Sequence, residues 1–312
     1  MCTNVPATYI TNKIQAKWCK INICDIIFKV KKGDDKMIID SHVHIGNEKE
    51  CEKIIKTSKY KDIYKIYSCI NPKTINGTNI FLKDVDNFFA IPLFFCETNI
   101  EEANKKLIKE VEKNPKAIPI LLLCKNQNIN NLIFLLNYNI LKEHFTLHNP
   151  KDISDRDETY DYLNSQEGFL LLHTLSNSTY EHVINLRHEY PKMKIIVAHL
   201  GRNGKGEYDF TSDMIDKLYS DENIYTDIST IENPDLIKYA FKKFGNSRIL
   251  YGSDFPFEKK PNITEAEYMK PAMMANLTDD DYDKLFYKNA LDIINESKIE
   301  KKGEQKNEGM EH

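Results

Sequence analysis

Three observations predict an α/β fold built on parallel strands. Strand-like apolar runs alternate with helix-like amphipathic ones through most of the 312 residues. The stretch that alternates, 37–296, matches the usual length of a (β/α)8 (TIM) barrel, about 250 residues. The glycine-rich first turn of an open doubly wound sheet is missing after the first strand. The expected organisation is an N-terminal extension (1–36), a single barrel domain (37–296) and a charged, disordered tail (297–312).

In order, strands are expected at 37–44, 62–70, 88–95, 117–124, 144–148, 169–173, 194–199, 224–228 and 248–253. That is one more than a barrel needs, and one of the second to fourth runs is then an edge, an insertion or a misread helix. Glu101–Lys113 places Ala103, Leu107, Ile108 and Val111 on one helical face. His182–Tyr190 does so with Val183, Leu186 and Tyr190. Asp235–Phe244 does so with Leu236, Ile237, Ala240, Phe241 and Phe244. Asp279–Ile294 follows Thr278, with Asp281 three residues on, a capping-box arrangement.

Composition excludes several classes. Apolar residues are 41% and aromatics 11%, which argues against disorder. A net charge of −4 gives no reason to expect nucleic acid or an anionic membrane as partner. No apolar run approaches transmembrane length, and no signal-peptide core is visible, so a cytoplasmic location is expected. The 7 cysteines are odd in number and lack a C-x-x-C pair, consistent with free thiols in a reducing compartment. The expected partner is a small-molecule substrate, with self-association into a homo-oligomer left open. The single Trp18 lies in the extension and is expected to pack.

The chemistry is concentrated at the ends of apolar runs. Met37–His44 ends in His42-Val43-His44, and residues two apart on a strand share a face. The runs Phe169–His173, Lys194–His199 and Arg248–Asp254 end in the same way. In a barrel the site lies at the C-terminal ends of the strands. Three imidazoles, a carboxylate and a water suit zinc or a similar first-row ion. Taken singly, each histidine is more often structural, and Asp254 between Gly252 and Pro256 reads as a turn residue. It is the joint occurrence that predicts a shared metal site.

Asp40-Ser41-His42-Val43-His44-Ile45-Gly46, Leu172-His173-Thr174, Val197-Ala198-His199-Leu200-Gly201-Arg202 and Leu250-Tyr251-Gly252-Ser253-Asp254-Phe255-Pro256 resemble the amidohydrolase superfamily. The nearest branch is the amidohydrolase-2 group, which includes aminocarboxymuconate semialdehyde decarboxylase. Lys288-Asn289-Ala290 is similar to that branch's closing helix. The resemblance implies that His42, His44, His173 and Asp254 bind a divalent ion, taken as zinc, and that Asp254 accepts the proton of the attacking water. It implies that His199 polarises substrate or moves a proton in one-metal members.

Two-metal members carry a bridging lysine or glutamate on strand four. The segment Phe145-Thr146-Leu147-His148-Asn149-Pro150 resembles that pattern with Thr146 in the lysine's place, so one metal is expected. Glu143 reads as too early on the strand to substitute. His148 and Arg202 are candidates for substrate binding, Arg202 through its planar fork on a carboxylate. Asp227 is expected to line the pocket. Gly201–Gly206 reads as a loop over the site, since no helix start supports a dinucleotide fingerprint. His144, His182 and His188 read as surface or helix-face residues. The leading expectation is hydrolysis of an amide, ester or lactone. The alternatives are a metal-dependent decarboxylase and a non-catalytic barrel.

Overall fold

A computed structural model describes residues 37–45, 85–93, 99–112, 114–123, 138–144, 157–173, 177–203, 207–255 and 265–299. The expectations for the extension 1–36, the strand 62–70, Thr146, His148, Pro256 and residues 300–312 fall outside them, as do Trp18 and every cysteine.

The architecture is α/β with parallel strands. β1 (Ile39–Ile45), β2 (Asn87–Pro92) and β3 (Ala117–Pro119) form one sheet in that order. β4 (Leu121–Leu122), β5 (Ile140–Glu143), β6 (Phe169–Leu172), β7 (Lys194–Val197), β8 (Ile224–Asp227) and β9 (Ile249–Leu250) form a second, also in sequence order. β3 and β4 are consecutive pieces of one extended segment. Its first piece pairs with β2 and its second with β5, and the Ile120 amide between them donates to Ala90 O at 2.9 Å. At the other edges, the chain after β9 bonds back to β1. Ser41 N donates to Tyr251 O, Asp254 N to His42 O and His44 N to Phe255 O, each at 2.8 Å.

Side chains alternate across each strand. One face carries Leu141, Leu170, Leu172, Ile195 and Val197, packed with Leu107, Tyr160, Val183 and Ile237 of the helices. The other carries Ile39, Phe89, Ile91, Ile140, Phe169, Leu171, Ile196 and Leu250 in a second apolar cluster. Continuing this second face by two residues gives Lys142, His173 and Gly252, and by two more Asp254. The apolar floor and the polar site are thus successive layers of one face.

The helices are α1 (Ile100–Val111), α2 (Asp157–Ser165), α3 (Asn177–Glu189), α4 (Tyr208–Leu218), α5 (Pro234–Phe244), α6 (Glu265–Met274), α7 (Asp279–Asp283) and α8 (Asn289–Ser297). Among the described residues none is long and apolar enough to cross a membrane. The Thr278 capping box is present: its side chain accepts from Asp281 N at 3.2 Å, and Asp281 Oδ2 accepts from Thr278 N at 3.1 Å. A π-helical turn, Lys284–Lys288, joins α7 to α8, and Leu285 O accepts from Tyr251 N at 2.9 Å. An inserted residue of this kind frees a helix carbonyl for another element.

Three expectations need correction. A strand that was not expected runs over Ile140–Glu143, just before the one expected at 144–148, of which 145–148 lie outside the described residues. Lys142 and Glu143 break its hydropathy, so the apolar signal moved downstream to Phe145 and Leu147. A helix does start after the Gly201–Gly206 stretch, at Tyr208, so the absence of one is no argument about that segment. Residues 297–299, expected to belong to a disordered tail, are part of the fold. Ser297 O accepts from Asn139 N at 2.7 Å, Lys298 bridges Tyr138, and Ile299 packs against the core.

Candidate metal centre

His42, His44 and Asp254 converge. Asp254 Oδ1 lies 3.3 Å from His42 Nε2 and 3.1 Å from His44 Nε2, and all three residues are buried. Donors about 2.0–2.2 Å from one zinc ion at tetrahedral angles stand about 3.4 Å apart. Asp254 has that spacing to both nitrogens, the three ligand atoms all lie within 4.8 Å of one another, and a donor set of two imidazoles and a carboxylate fits a first-row ion.

Backbone strain aims these groups. Asp254 and His199 sit in the left-handed region at φ 58° and 59°, followed in the second case by Leu200 at 52°. Non-glycine residues there cost roughly 1–2 kcal/mol and persist only where surrounding contacts over-determine them. Asp254 N is held by His42 O, and His199 N by Asp227 Oδ1 at 2.9 Å. Gly252 is needed for close approach rather than for a turn. A Cβ there would lie 2.9 Å from His42 Cβ and 3.3 Å from Ser229 Cβ.

His199 and His173 form a second layer. His199 Nε2 is 3.1 Å from His173 Nδ1, and the His199 and His42 rings stack at 5.1 Å. His173 does not join the trio, whose ligand atoms lie within 4.8 Å of one another. A second such group is His42, His199 and Asp227. Asp227 there is already in hydrogen bonds, with His42 Nδ1 at 2.9 Å and with the Ser229 hydroxyl. His144 is buried, not on the surface, and its ring stacks on His173 at 3.8 Å. The helix-face reading of His182 and His188 stands. His182 Nε2 lies 3.4 Å from Glu143 Oε2.

Lys142 is the residue that sequence reasoning missed. It is fully buried, and its Nζ lies 3.3 Å from His42 Nε2. A lysine thus stands beside the first histidine on β5, four residues before Thr146, so a threonine at 146 alone is no ground for excluding a lysine from the site. Period-two alternation from Ile140 would have found it, because Ile140 and Lys142 share a face. The neighbouring Glu143 points the other way and accepts from Tyr160 OH at 2.9 Å.

Electrostatics match the layout. Burial, then the Lys142 charge, lowers His42 to about 4, against the pull of Asp254 and Asp227. Burial lowers His173 and His199 as well. Neutral imidazoles are what a cation requires. Burial brings Lys142 down to about 8, opposed by the same two carboxylates. Burial also pushes Asp40 up to about 7, against hydrogen bonds from Ser253 and His42. For Asp254 and Asp227, burial acts upward, but the neighbouring histidines outweigh it and hold both below the usual carboxylate range. Arg202 is buried beside His199, and its charge is among those that lower that ring.

Parallel strands ending in buried histidines and an aspartate define a class of metal-dependent enzymes. Residues 140–295 match the amidohydrolase family model, and the chain belongs to that family. It is a metal-dependent enzyme, which removes the non-catalytic reading. No curated protein sequence matches the chain. Solved structures similar in fold include a putative 2-pyrone-4,6-dicarboxylic acid hydrolase from Pseudomonas putida (12% identity, 83% of this chain and 98% of that one, TM-score 0.61). An amidohydrolase from Burkholderia multivorans with bound zinc is similar at 10% identity, 83% and 99% coverage, and TM-score 0.62. A dihydroxybenzoic acid decarboxylase from a Polaromonas species with bound manganese is similar at 14%, 83% and 97%, and 0.57.

Proposed function

We propose that the chain is a closed (β/α)8 barrel that hydrolyses an amide, ester or lactone of a small molecule, using one divalent cation, zinc in this reading. One observation carries the proposal: the Asp254 carboxylate is shared between two imidazole nitrogens at the metal-ligand spacing. Closure is supported by the bonds between β1 and the chain after β9, and by the segment 117–122 that pairs on both sides.

His42, His44 and Asp254 would hold the cation; His173, which stands outside the trio, would have to turn toward it to serve as a fourth donor. The bound cation would supply Lewis acidity and an acidified water. The other tasks fall to the chain. Asp254 accepts the proton of the attacking water and passes it to the leaving group. His199 accepts and returns a proton through Nε2. Lys142, a buried cation beside the site, stabilises negative charge on the substrate oxygen, a task the resemblance had given to His199. Arg202 grips a substrate carboxylate. His148 keeps its proposed place as a substrate contact.

Two buried cations, Lys142 and Arg202, beside one site also favour a second reading, decarboxylation of a small carboxylic acid. A panel of lactones, esters, amides and aromatic acids with product analysis separates the two. Carbon dioxide release without hydrolysis would eliminate the hydrolase. As an ammonium group, Lys142 repels a second dication, which supports one ion. Elemental analysis of protein purified without added metal should give a ratio near one. A ratio near two would overturn the one-ion assignment and reopen the question of a bridging residue.

A further inference from the structure

Asp227 was expected only to line the pocket, yet it is the most heavily used carboxylate in the site. Its Oδ1 accepts from His199 N at 2.9 Å, from Ser229 N at 3.0 Å and from the Ser229 hydroxyl. Its Oδ2 lies 2.9 Å from His42 Nδ1. It is fully buried at the end of β8 and reaches β1 and the turn that follows β7.

These contacts fix proton positions. A neutral imidazole carries one N–H, and the partner of one nitrogen decides the state of the other. The two backbone amides can only donate, so Oδ1 is an acceptor. The single hydroxyl hydrogen of Ser229 is spent on Oδ1. Ser229 Oγ can then only accept from His199 Nδ1, 2.7 Å away. Ser229 O, 3.2 Å from the same nitrogen, can also only accept. His199 therefore carries its hydrogen on Nδ1, and its Nε2 is bare. His173 Nδ1, at 3.1 Å, must donate to that lone pair. His42 is fixed from the other side of its ring: Nδ1 meets Asp227 Oδ2 at 2.9 Å, the shorter contact, whereas Nε2 faces a donor, Lys142 Nζ, and an acceptor, Asp254 Oδ1, each at 3.3 Å, and so decides nothing by itself.

We propose that Asp227 is a positioning residue that sets the tautomers of two histidines, directly for His42 on β1 and through Ser229 for His199 in the turn after β7. Neither ring then carries a hydrogen on Nε2: His42 turns that nitrogen toward His44 and Asp254, and His199 uses its own to accept from His173. The same carboxylate anchors the left-handed backbone at His199, so ring orientation and proton position have one origin. The inference rests on the reading of His42 as a metal ligand for its consequence, though not for the hydrogen-bond assignment.

Asp227→Asn isolates the effect. Three donors surround Oδ1, so the amide oxygen must take that side and the NH2 group must face His42 Nδ1. Two donors cannot meet, so His42 must move its hydrogen to Nε2 and lose the lone pair used for ligation. Long-range 15N–1H spectra of the histidine rings in metal-free protein read this directly. The wild type should show Nδ1–H at His42 and at His199. In Asp227→Asn, His42 should switch to Nε2–H while His199 keeps Nδ1–H, and zinc affinity by titration should fall about 10–100-fold. An Nε2–H signal from either ring of the wild type overturns the proposal without any variant. So does an unchanged His42 signal in folded Asp227→Asn protein. Zinc titration of the wild type decides the metal reading separately, because the spectra need no metal.

Discussion

The two ends of the strands are built on opposite principles. At the N-terminal ends of β7 to β9, charge is spread over carbonyl groups near the surface. Arg248 donates to Asp221 O, Ile224 O, Tyr219 O and Phe244 O at 2.6–3.2 Å. Arg187 donates to Asp221 Oδ2, Tyr190 O, Met193 O and Pro191 O. At the C-terminal ends, charges are fully buried, meet other titratable groups, and sit beside left-handed residues at His199, Leu200, Thr230 and Asp254. The first end ties loops to strands. The second holds groups in states they would not adopt in water, at a cost in stability that only function explains.

The largest effect is expected from Asp254→Ala. On any panel compound the wild type turns over, kcat/KM should fall about 10²–10⁴-fold while the folded protein keeps its circular dichroism spectrum. An active Asp254→Ala enzyme would remove the proposed proton acceptor.

Acid should weaken the C-terminal end of the metal-free protein. His42 has a folded pKa, about 4, below its unfolded value of 6.5. The unfolded chain therefore takes up the proton first as pH falls. The stability from this ring is full above about pH 6.5 and is lost as pH falls toward 4, a change of about 3 kcal/mol. Asp40 acts in the opposite sense, because its folded pKa, about 7, lies above its unfolded value. In an Asp40→Asn background, urea unfolding should lose at least about 3 kcal/mol between pH 7 and 4. A flat profile would contradict the burial of a neutral His42.

Arg248→Ala tests the other end. Loss of its carbonyl contacts should lower unfolding free energy by about 2 kcal/mol, with kcat of the folded protein unchanged. A kcat loss there would erase the contrast between the two ends. The smallest effect should come from Gly252→Ala. The added Cβ forces His42 or Ser229 to shift, at about 1 kcal/mol in stability. The informative readout is zinc affinity, which should fall even though none of the proposed ligands is changed.

Most of the residues that converge at the candidate centre were legible because their signal is local. An apolar run followed by histidine or aspartate marks a strand end, and His42 and His44 share a face through period two alone. The Thr278 capping box and the apolar stripe of Pro234–Phe244 were legible for the same reason. β5 was not. A lysine and a glutamate inside a strand read as surface, and only their partners make burial tolerable. His144 was misread alike, since its cover is the His173 ring from the next strand.

The chain by itself determined which residue types stand at the strand ends, because alternation and hydropathy act over a few neighbours. Tertiary structure alone decided which of them meet. Lys142 reaches His42 across 100 residues of sequence, and Asp227 reaches it across 185. Hydrogen bonds and buried charges depend on distance in space, and no local pattern encodes a partner that far away.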